Sequence, residues 1–341
     1  DLTEEKNIKL FSNLQNITNV KPSSIVNGID KISQITEKVI SPYDTQKILG
    51  QVNYADPSII REALDSLNSY NNEWKNSPLS KRIDIVNKFS ILLESNYHFL
   101  VSCCVKEVGK TIQDSIADIR EAIDFCRYYA TEAERIFEEK NLPGPTGEKN
   151  IYKLKAKGLT CVISPWNFPI AIFVGQMIAS LICGNVTIAK PAEQTSNLSY
   201  VIFRLLLKAG LPNNAAALIL GSGEEIGPKI FSNMNLQNVV FTGSLETAKI
   251  IQRQLHERDD LINLIAETGG LNCLIADSSA LTEHIVEDVI NSAFNSAGQR
   301  CSACRILCIE ENVYKKTLSM LEGAVETLFV SSPENISTDV G

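Results

Sequence analysis

Between residues 158 and 244, short apolar or β-branched runs that stop at Gly, Pro or Ser alternate with helix-length apolar stretches. The runs are GLTCVISP, GNVTIAKP, AAALILGSG and NVVFTGS; helical stretches such as PIAIFVGQMIASLIC and LSYVIFRLLLKAG lie between them. No other feature restricts the fold as much. Strands that alternate with helices at this spacing are βαβ units, and serial units build a parallel sheet covered by helices. Ligands of such sheets bind beyond the carboxyl ends of the strands. The polar tips SPWN, KPAEQT, GSG and FTGS fall at those ends, so a small-molecule cleft is expected there.

The flanks have a different texture. Residues 1–50 are polar, rich in Asn, Ser and Lys, and weakly periodic; they read as an N-terminal arm. From Pro57 to about Ile136 the pattern is helical. Ser80 is placed to cap a helix in SKRIDIVNKFSILLESN, with Ile83, Val86, Phe89, Ile91, Leu92 and Leu93 as its apolar face. DSIADIREAIDFCRYYATEAERIF predicts a second long helix, with Ile116, Ile119, Ile123 and Cys126 on one side. KNLPGPTGEKN, residues 140–150, is a turn-rich break. LINLIAETGGLNCLIADSS reads as strand, Gly-Gly turn and strand. LTEHIVEDVINSAFNSAG follows as a helix, and CRILCIEENV as an alternating strand. The chain stops at SSPENISTDVG without a closing element, as an interrupted domain would.

The net charge of -8 and a pI of about 5.1 argue against a nucleic-acid partner. No apolar run is long enough to span a membrane. The opening DLTEEKNIKLFSNL lacks the basic and apolar regions of a signal peptide. Nine cysteines, an odd count without framework spacing, fit a reducing, cytoplasmic compartment.

Cys301, Cys304 and Cys308 cluster in FNSAGQRCSACRILCI. A zinc site needs four ligands. There is no second C-x-x-C, and His98, His256 and His284 have no neighbour at ligand spacing, so no metal is expected. A thioredoxin-like pair would sit after the first strand of a small fold, not late in a long α/β pattern. Cys304 and Cys308 read best as small buried hydrophobes. Cys301 differs: it follows the polar run Gly298, Gln299, Arg300, and an exposed thiol in such a setting can serve as a nucleophile. A cysteine-histidine hydrolase would need a positioned His, for which the sequence offers no motif.

SPWNFP (164–169), KPAEQT (190–195), FTGS (241–244), AETGG (266–270) and GQRC (298–301) occur in this order, on the expected strand tips. With them the chain resembles the NAD(P)-dependent aldehyde dehydrogenase superfamily. The resemblance runs from about residue 40 to the end. Further segments, among them VKEVGKTIQDSIADIREAIDFCRYYA, GPTGEKN, DSSAL and SAGQRCSACRILC, make it most similar to δ1-pyrroline-5-carboxylate (L-glutamate γ-semialdehyde) dehydrogenase, as found in bifunctional proline utilization A.

The resemblance implies an α/β fold: a Rossmann-type parallel-sheet cofactor domain over residues 51–265, then the start of an α/β catalytic domain over 266–341. Residues 150–160 would belong to an oligomerisation flap. It further implies a homo-oligomer, NAD as cofactor, an aldehyde substrate, and a proline dehydrogenase module on the same parent polypeptide. An E-x-F-G-P-type motif, the loop for the substrate carboxylate and the last flap strands would lie beyond Gly341. The alternatives are a non-catalytic fragment that binds NAD weakly within a larger bifunctional protein, and an aldehyde dehydrogenase of different substrate.

Residue by residue, the resemblance assigns Cys301 as nucleophile, Asn167 as oxyanion donor and Glu267 as the base for thioester hydrolysis. Without it, Asn167 is a turn residue and Glu267 a solvated strand-tip carboxylate. Lys190 and Glu193 match the pair that holds the adenosine ribose, and Ser244 the pyrophosphate contact beside helix N-terminal amides. Ser164, Pro165, Trp166, Phe241, Thr242, Gly243 and Gly269 would line the same cofactor site. GSGEEIG is one residue too long for a G-x-G-x-x-G fingerprint, yet Gly221 and Gly223 are carried as cofactor residues. Many relatives have Thr and Gly where this chain has Leu245 and Ala248. Ser302 matches a contact to the substrate carboxylate, and Arg300 is grouped with it as substrate-binding.

Overall fold

A computed structural model describes residue 2 and residues 4–341. The chain opens with the short helix α1 (Glu5–Phe11), then a hairpin of β1 (Ser24–Val26) and β2 (Ile29–Lys31). A second hairpin follows, β3 (Thr36–Ile40) and β4 (Ile48–Asn53). The first hairpin corrects the expectation of an irregular arm. β1 pairs antiparallel with a strand of the main sheet through Ile25 and Leu218, and Ile25 and Val26 are fully buried. Three residues are too few to show a period-two pattern, so the strand did not register in the sequence. The 50/51 boundary falls inside β4.

Four helices follow: α2 (Pro57–Lys75), α3 (Leu79–Ser95), α4 (Tyr97–Val108) and α5 (Ile112–Phe137). Ser80 is not the cap of α3; the helix starts one residue earlier, behind Pro78, a residue that disfavours helix before it. Ile91 is 60% exposed and lies off the apolar face. In α5, Ile119, Ile123 and Cys126 are buried as the spacing predicts. The turn-rich 140–150 segment is the tip of a hairpin, β5 (Lys140–Leu142) with β6 (Asn150–Tyr152).

The core is β7 (Leu159–Ile163), α6 (Ala171–Ile182), β8 (Thr187–Lys190), α7 (Ser196–Lys208), β9 (Ala216–Leu218), α8 (Gly223–Phe231), β10 (Leu236–Gly243), α9 (Leu245–His256) and β11 (Asn263–Thr268). The seven-stranded sheet has the order β11-β10-β7-β8-β9-β1-β2, and β11 through β9 are parallel. β7 and β8 are covered on both faces, which is why their sequences are continuous apolar runs without alternation. α6 is apolar on nearly every side, as an enclosed helix is, and its buried Gln176 and Ser180 are hydrogen-bonded to Thr242 and Thr187.

β11 does not turn back into a hairpin at Gly269 and Gly270. The chain leaves the main sheet there, and β12 (Asn272–Ala276) pairs parallel with β13 (Cys304–Ile309) in a separate two-stranded sheet. α10 (Thr282–Phe294) connects the two strands and α11 (Glu311–Glu326) follows them. Ala276, Ile285 and Val289 form a small core there, with Leu274, Leu307 and Leu321. The opposite face carries Ile275, 80% exposed, and the exposed Cys273 and Cys308.

Candidate active site

The cleft opens where the strand order reverses. From β7 the chain steps to β8 and β9 on one side, then returns to β10 and β11 on the other. The loops leaving β7 and β10 diverge and leave a crevice between them. It encloses about 500 Å³. Ser164, Pro165 and Trp166 line it after β7, Lys190 and Glu193 after β8, and Phe241, Thr242, Gly243 and Ser244 at the end of β10.

Lys190 Nζ lies 2.7 Å from Glu193 Oε1, and the same oxygen accepts from the Gly223 amide at 2.7 Å. Burial opposes ionisation of Glu193, but the Lys190 ammonium and these hydrogen bonds outweigh it and hold the carboxyl below its usual range. A Cβ at Gly223 would come 3.4 Å from Lys190 Nζ and 3.9 Å from Glu193 Oε1, so the start of α8 lies in van der Waals range of the pair. Ser244 caps α9: its hydroxyl accepts from the Thr247 amide at 3.1 Å. The unpaired amides of the first turn of α9 then border the cleft, a favourable place for an anion.

Two expected cofactor residues stand elsewhere. Gly221 is buried with φ +144°, and a Cβ there would meet Ile226 Cδ1 at 2.9 Å; it makes the turn after β9 without lining the cleft. Gly269 has open space around its Cβ position, so no close approach in this chain requires it. The sequence reading missed the wall supplied by α8 and α9: Ile226 and Phe231, then Thr247, Ile250, Ile251 and Gln254. Apolar residues at helical spacing signal burial but do not distinguish a cleft from a core.

The catalytic candidates flank residues that line this cleft: Asn167 follows Trp166, and Glu267 in β11 pairs with Thr242. Asn167 Nδ2 donates to the Gln299 carbonyl at 2.7 Å, which ties the loop after β7 to the turn that bears Cys301. Lys110 holds the same loop from beneath. Its ammonium donates to the Asn167 carbonyl at 3.0 Å, lies 4.0 Å from the centre of the Phe168 ring and 3.6 Å from Asp118. Cys301 and Ser302 are exposed in the turn before β13. Asn272 Nδ2 donates to the carbonyls of Cys301, at 2.5 Å, and Ala303, at 3.1 Å, so β12 steadies the turn. Glu267 is exposed near the end of β11, opposite Thr242 in the ladder.

Arg300 has a partner within the protein: its guanidinium donates to Asp114 at 3.1 Å and lies over Phe168, 5.6 Å from the ring centre. Cys308 is exposed, contrary to the buried reading, and its Sγ is 3.5 Å from that of Cys273. Cys304 is half-buried. Alternation in β13 separates two faces, and α10 and α11 cover the one that carries Leu307.

Residues 30–341 match the family model described as the Aldehyde dehydrogenase family. The chain is 40% identical over 307 residues to Bifunctional protein PutA of Escherichia coli (strain K12), covering 89% of this chain and 22% of that protein. It superposes on the structure of proline utilization A (PutA) from Bdellovibrio bacteriovorus inactivated by N-propargylglycine with a TM-score of 0.94 and 29% identity, covering 99% of this chain and 36% of that one. For 1-pyrroline-5-carboxylate dehydrogenase from Thermus with bound NAD the TM-score is 0.92 and the identity 28%, over 99% of this chain and 67% of that one. The chain thus spans about a fifth of the length of its Escherichia coli relative.

Proposed function

This chain belongs to the aldehyde dehydrogenase family, and we propose that it serves NAD-dependent oxidation of L-glutamate γ-semialdehyde to L-glutamate. The observation that carries the reading is the 2.7 Å bond from Asn167 to Gln299. It brings an amide donor on the loop bordering the cleft to within two residues of an exposed thiol. The names of the similar dehydrogenase and PutA proteins support the substrate.

The residues present fit NAD. A carboxylate paired with an ammonium, Glu193 with Lys190, suits a ribose diol, and the capped start of α9 suits a pyrophosphate. Trp166 offers an indole face at the mouth. Bound NAD would supply the hydride acceptor. In this reading Cys301 Sγ bonds to the aldehyde carbon, and the carbonyl electrons move onto oxygen. Asn167 Nδ2 has a second N–H beyond the one given to Gln299, and it would stabilise that oxyanion. Loss of one such donor costs roughly 3 kcal/mol. Once the adduct is a thioester, Glu267 would take a proton from the attacking water, and the C–S bond breaks with its electrons returning to sulfur.

Similarity to a bifunctional relative supports a proline-oxidising module on the same polypeptide. The exposed Leu142, Ile151 and Tyr152 of hairpin β5–β6 support a homo-oligomer. Nine free cysteines support a reducing, cytoplasmic setting. The test is NADH formation by the complete polypeptide with glutamate γ-semialdehyde and with simple aliphatic aldehydes. The semialdehyde should be strongly preferred, and Cys301→Ala should abolish turnover. A preference for the aliphatic aldehydes would overturn the substrate, and an active Cys301→Ala the nucleophile.

A further inference from the structure

We propose that Asp114 is a positioning residue for the turn that carries Cys301; the inference rests on the reading of Cys301 as nucleophile. The turn is strained. Ser296 (φ 54°, ψ 35°) and Ala297 (φ 54°, ψ 29°) both occupy the left-handed region, where non-glycine residues are rare because Cβ crowds the backbone. Two such residues in succession persist only when their surroundings over-determine them.

Asp114 supplies that determination from α5. Its Oδ2 accepts from the Ser296 amide at 3.1 Å, and its Oδ1 accepts from Arg300 Nη2 at 3.1 Å. One carboxylate, 7% exposed, therefore grips the turn at its first strained residue and again one residue before Cys301. Arg300 closes the loop on itself, with Nε and Nη2 each 3.4 Å from the Ser296 hydroxyl. Between these two grips lies Gln299, whose carbonyl receives Asn167. The ordinary reading of Asp114 is a helix-start residue in Thr-x-x-Asp, three positions after the N-cap. That reading accounts for the Thr111 hydroxyl, 3.0 Å from Oδ2. It leaves the two bonds to a turn more than 180 residues away unexplained.

The experiment compares the NADH burst of the complete polypeptide as wild type, Asp114→Ala, Asp114→Asn, Asp114→Ala combined with Ser296→Gly, and Cys301→Ala. Misplacing a reacting group by about 1 Å costs about 100-fold in rate, and a burst slowed by that order is expected for Asp114→Ala, with the KM for NAD unchanged. Glycine enters the left-handed region without steric cost, so Ser296→Gly should restore much of the burst. Asp114→Asn still accepts from the Ser296 amide and should fall between. A wild-type burst in Asp114→Ala overturns the inference, as does a loss that Ser296→Gly leaves untouched, which assigns Asp114 to folding alone. Should the alanine variants fail to fold, Asp114→Asn decides: a slowed burst at unchanged KM for NAD supports positioning, and a wild-type burst overturns it. A burst that survives in Cys301→Ala sinks the nucleophile reading instead, which is a separate outcome.

Discussion

Glu267 and Cys301 would act at different steps, and one substitution separates them. Glutamine at 267 keeps the size of the side chain but cannot take a proton from water. Glu267→Gln should therefore release a burst of about one NADH per active site, the mark of an accumulating acyl-enzyme. Steady turnover should then fall by roughly 10²–10⁴-fold, the usual worth of a general base. Stopped-flow NADH formation from pH 6 to 9 checks this. A burst that is itself slow, more so at low pH, would show that Glu267 also deprotonates Cys301. A normal burst followed by normal turnover would leave Glu267 a strand-tip carboxylate. At the same scale, Arg300, the residue before Cys301, forms an ion pair with Asp114 at 3.1 Å.

Among the elements, α7 has an uncommon start. Glu107, fully buried on α4, accepts from the amides of Asn197 and Leu198 at 2.7 and 2.8 Å. Burial pushes its carboxyl from 4.5 up to about 8, although the helix amides pull the other way. Between those pH values the native chain keeps a proton that the unfolded chain has released, so stability falls as pH rises. It is fully present below pH 4.5 and stops falling above about pH 8. Each pH unit inside the window is worth at most about 1.4 kcal/mol. Glutamine at 107 does not titrate. The Tm of the wild type should therefore drop relative to that of Glu107→Gln between pH 5 and 8. A constant difference in thermal melts would show that the helix amides keep Glu107 ionised throughout. This start of α7 also borders Glu193, so the buried carboxylate underpins the turn that faces the cleft.

For the whole molecule, coverage is uneven. The main sheet is enclosed at β7, β8 and β9 but largely exposed at its edge strand β11, and β12 and β13 carry helices on one face only. Ile275 and Leu271 are each 80% exposed and Ile306 46%. A contiguous apolar face of this kind marks a contact surface and an aggregation liability. The isolated chain of residues 1–341 should bind an apolar fluorescent dye and associate with rising concentration. Ile275→Lys with Ile306→Lys should lower both, whereas Met234→Lys, at a residue 84% exposed on another part of the surface, should lower neither. Dye fluorescence and light scattering read the outcome, and weak dye binding by the unaltered chain would count against it.

The sequence by itself determined the parallel sheet, because fully buried strands must be written as continuous apolar runs and their polar tips must mark the ligand end. β7 to β11 fall where those runs were read, and the words at their tips sufficed for the family, which the matching model bears out. Only the tertiary structure decided which side of each element is covered. That is why Ile91 and Cys308 lie exposed although their spacing is apolar. The same reason explains the hairpin at residues 24–31, whose three-residue strands take their conformation from the neighbouring edge and not from their own pattern. It also explains the grip of Asp114 on the Cys301 turn. Local sequence fixes a cap or a period over a few residues, whereas a carboxylate and an amide 182 positions apart meet only once the sheet and its helices have closed.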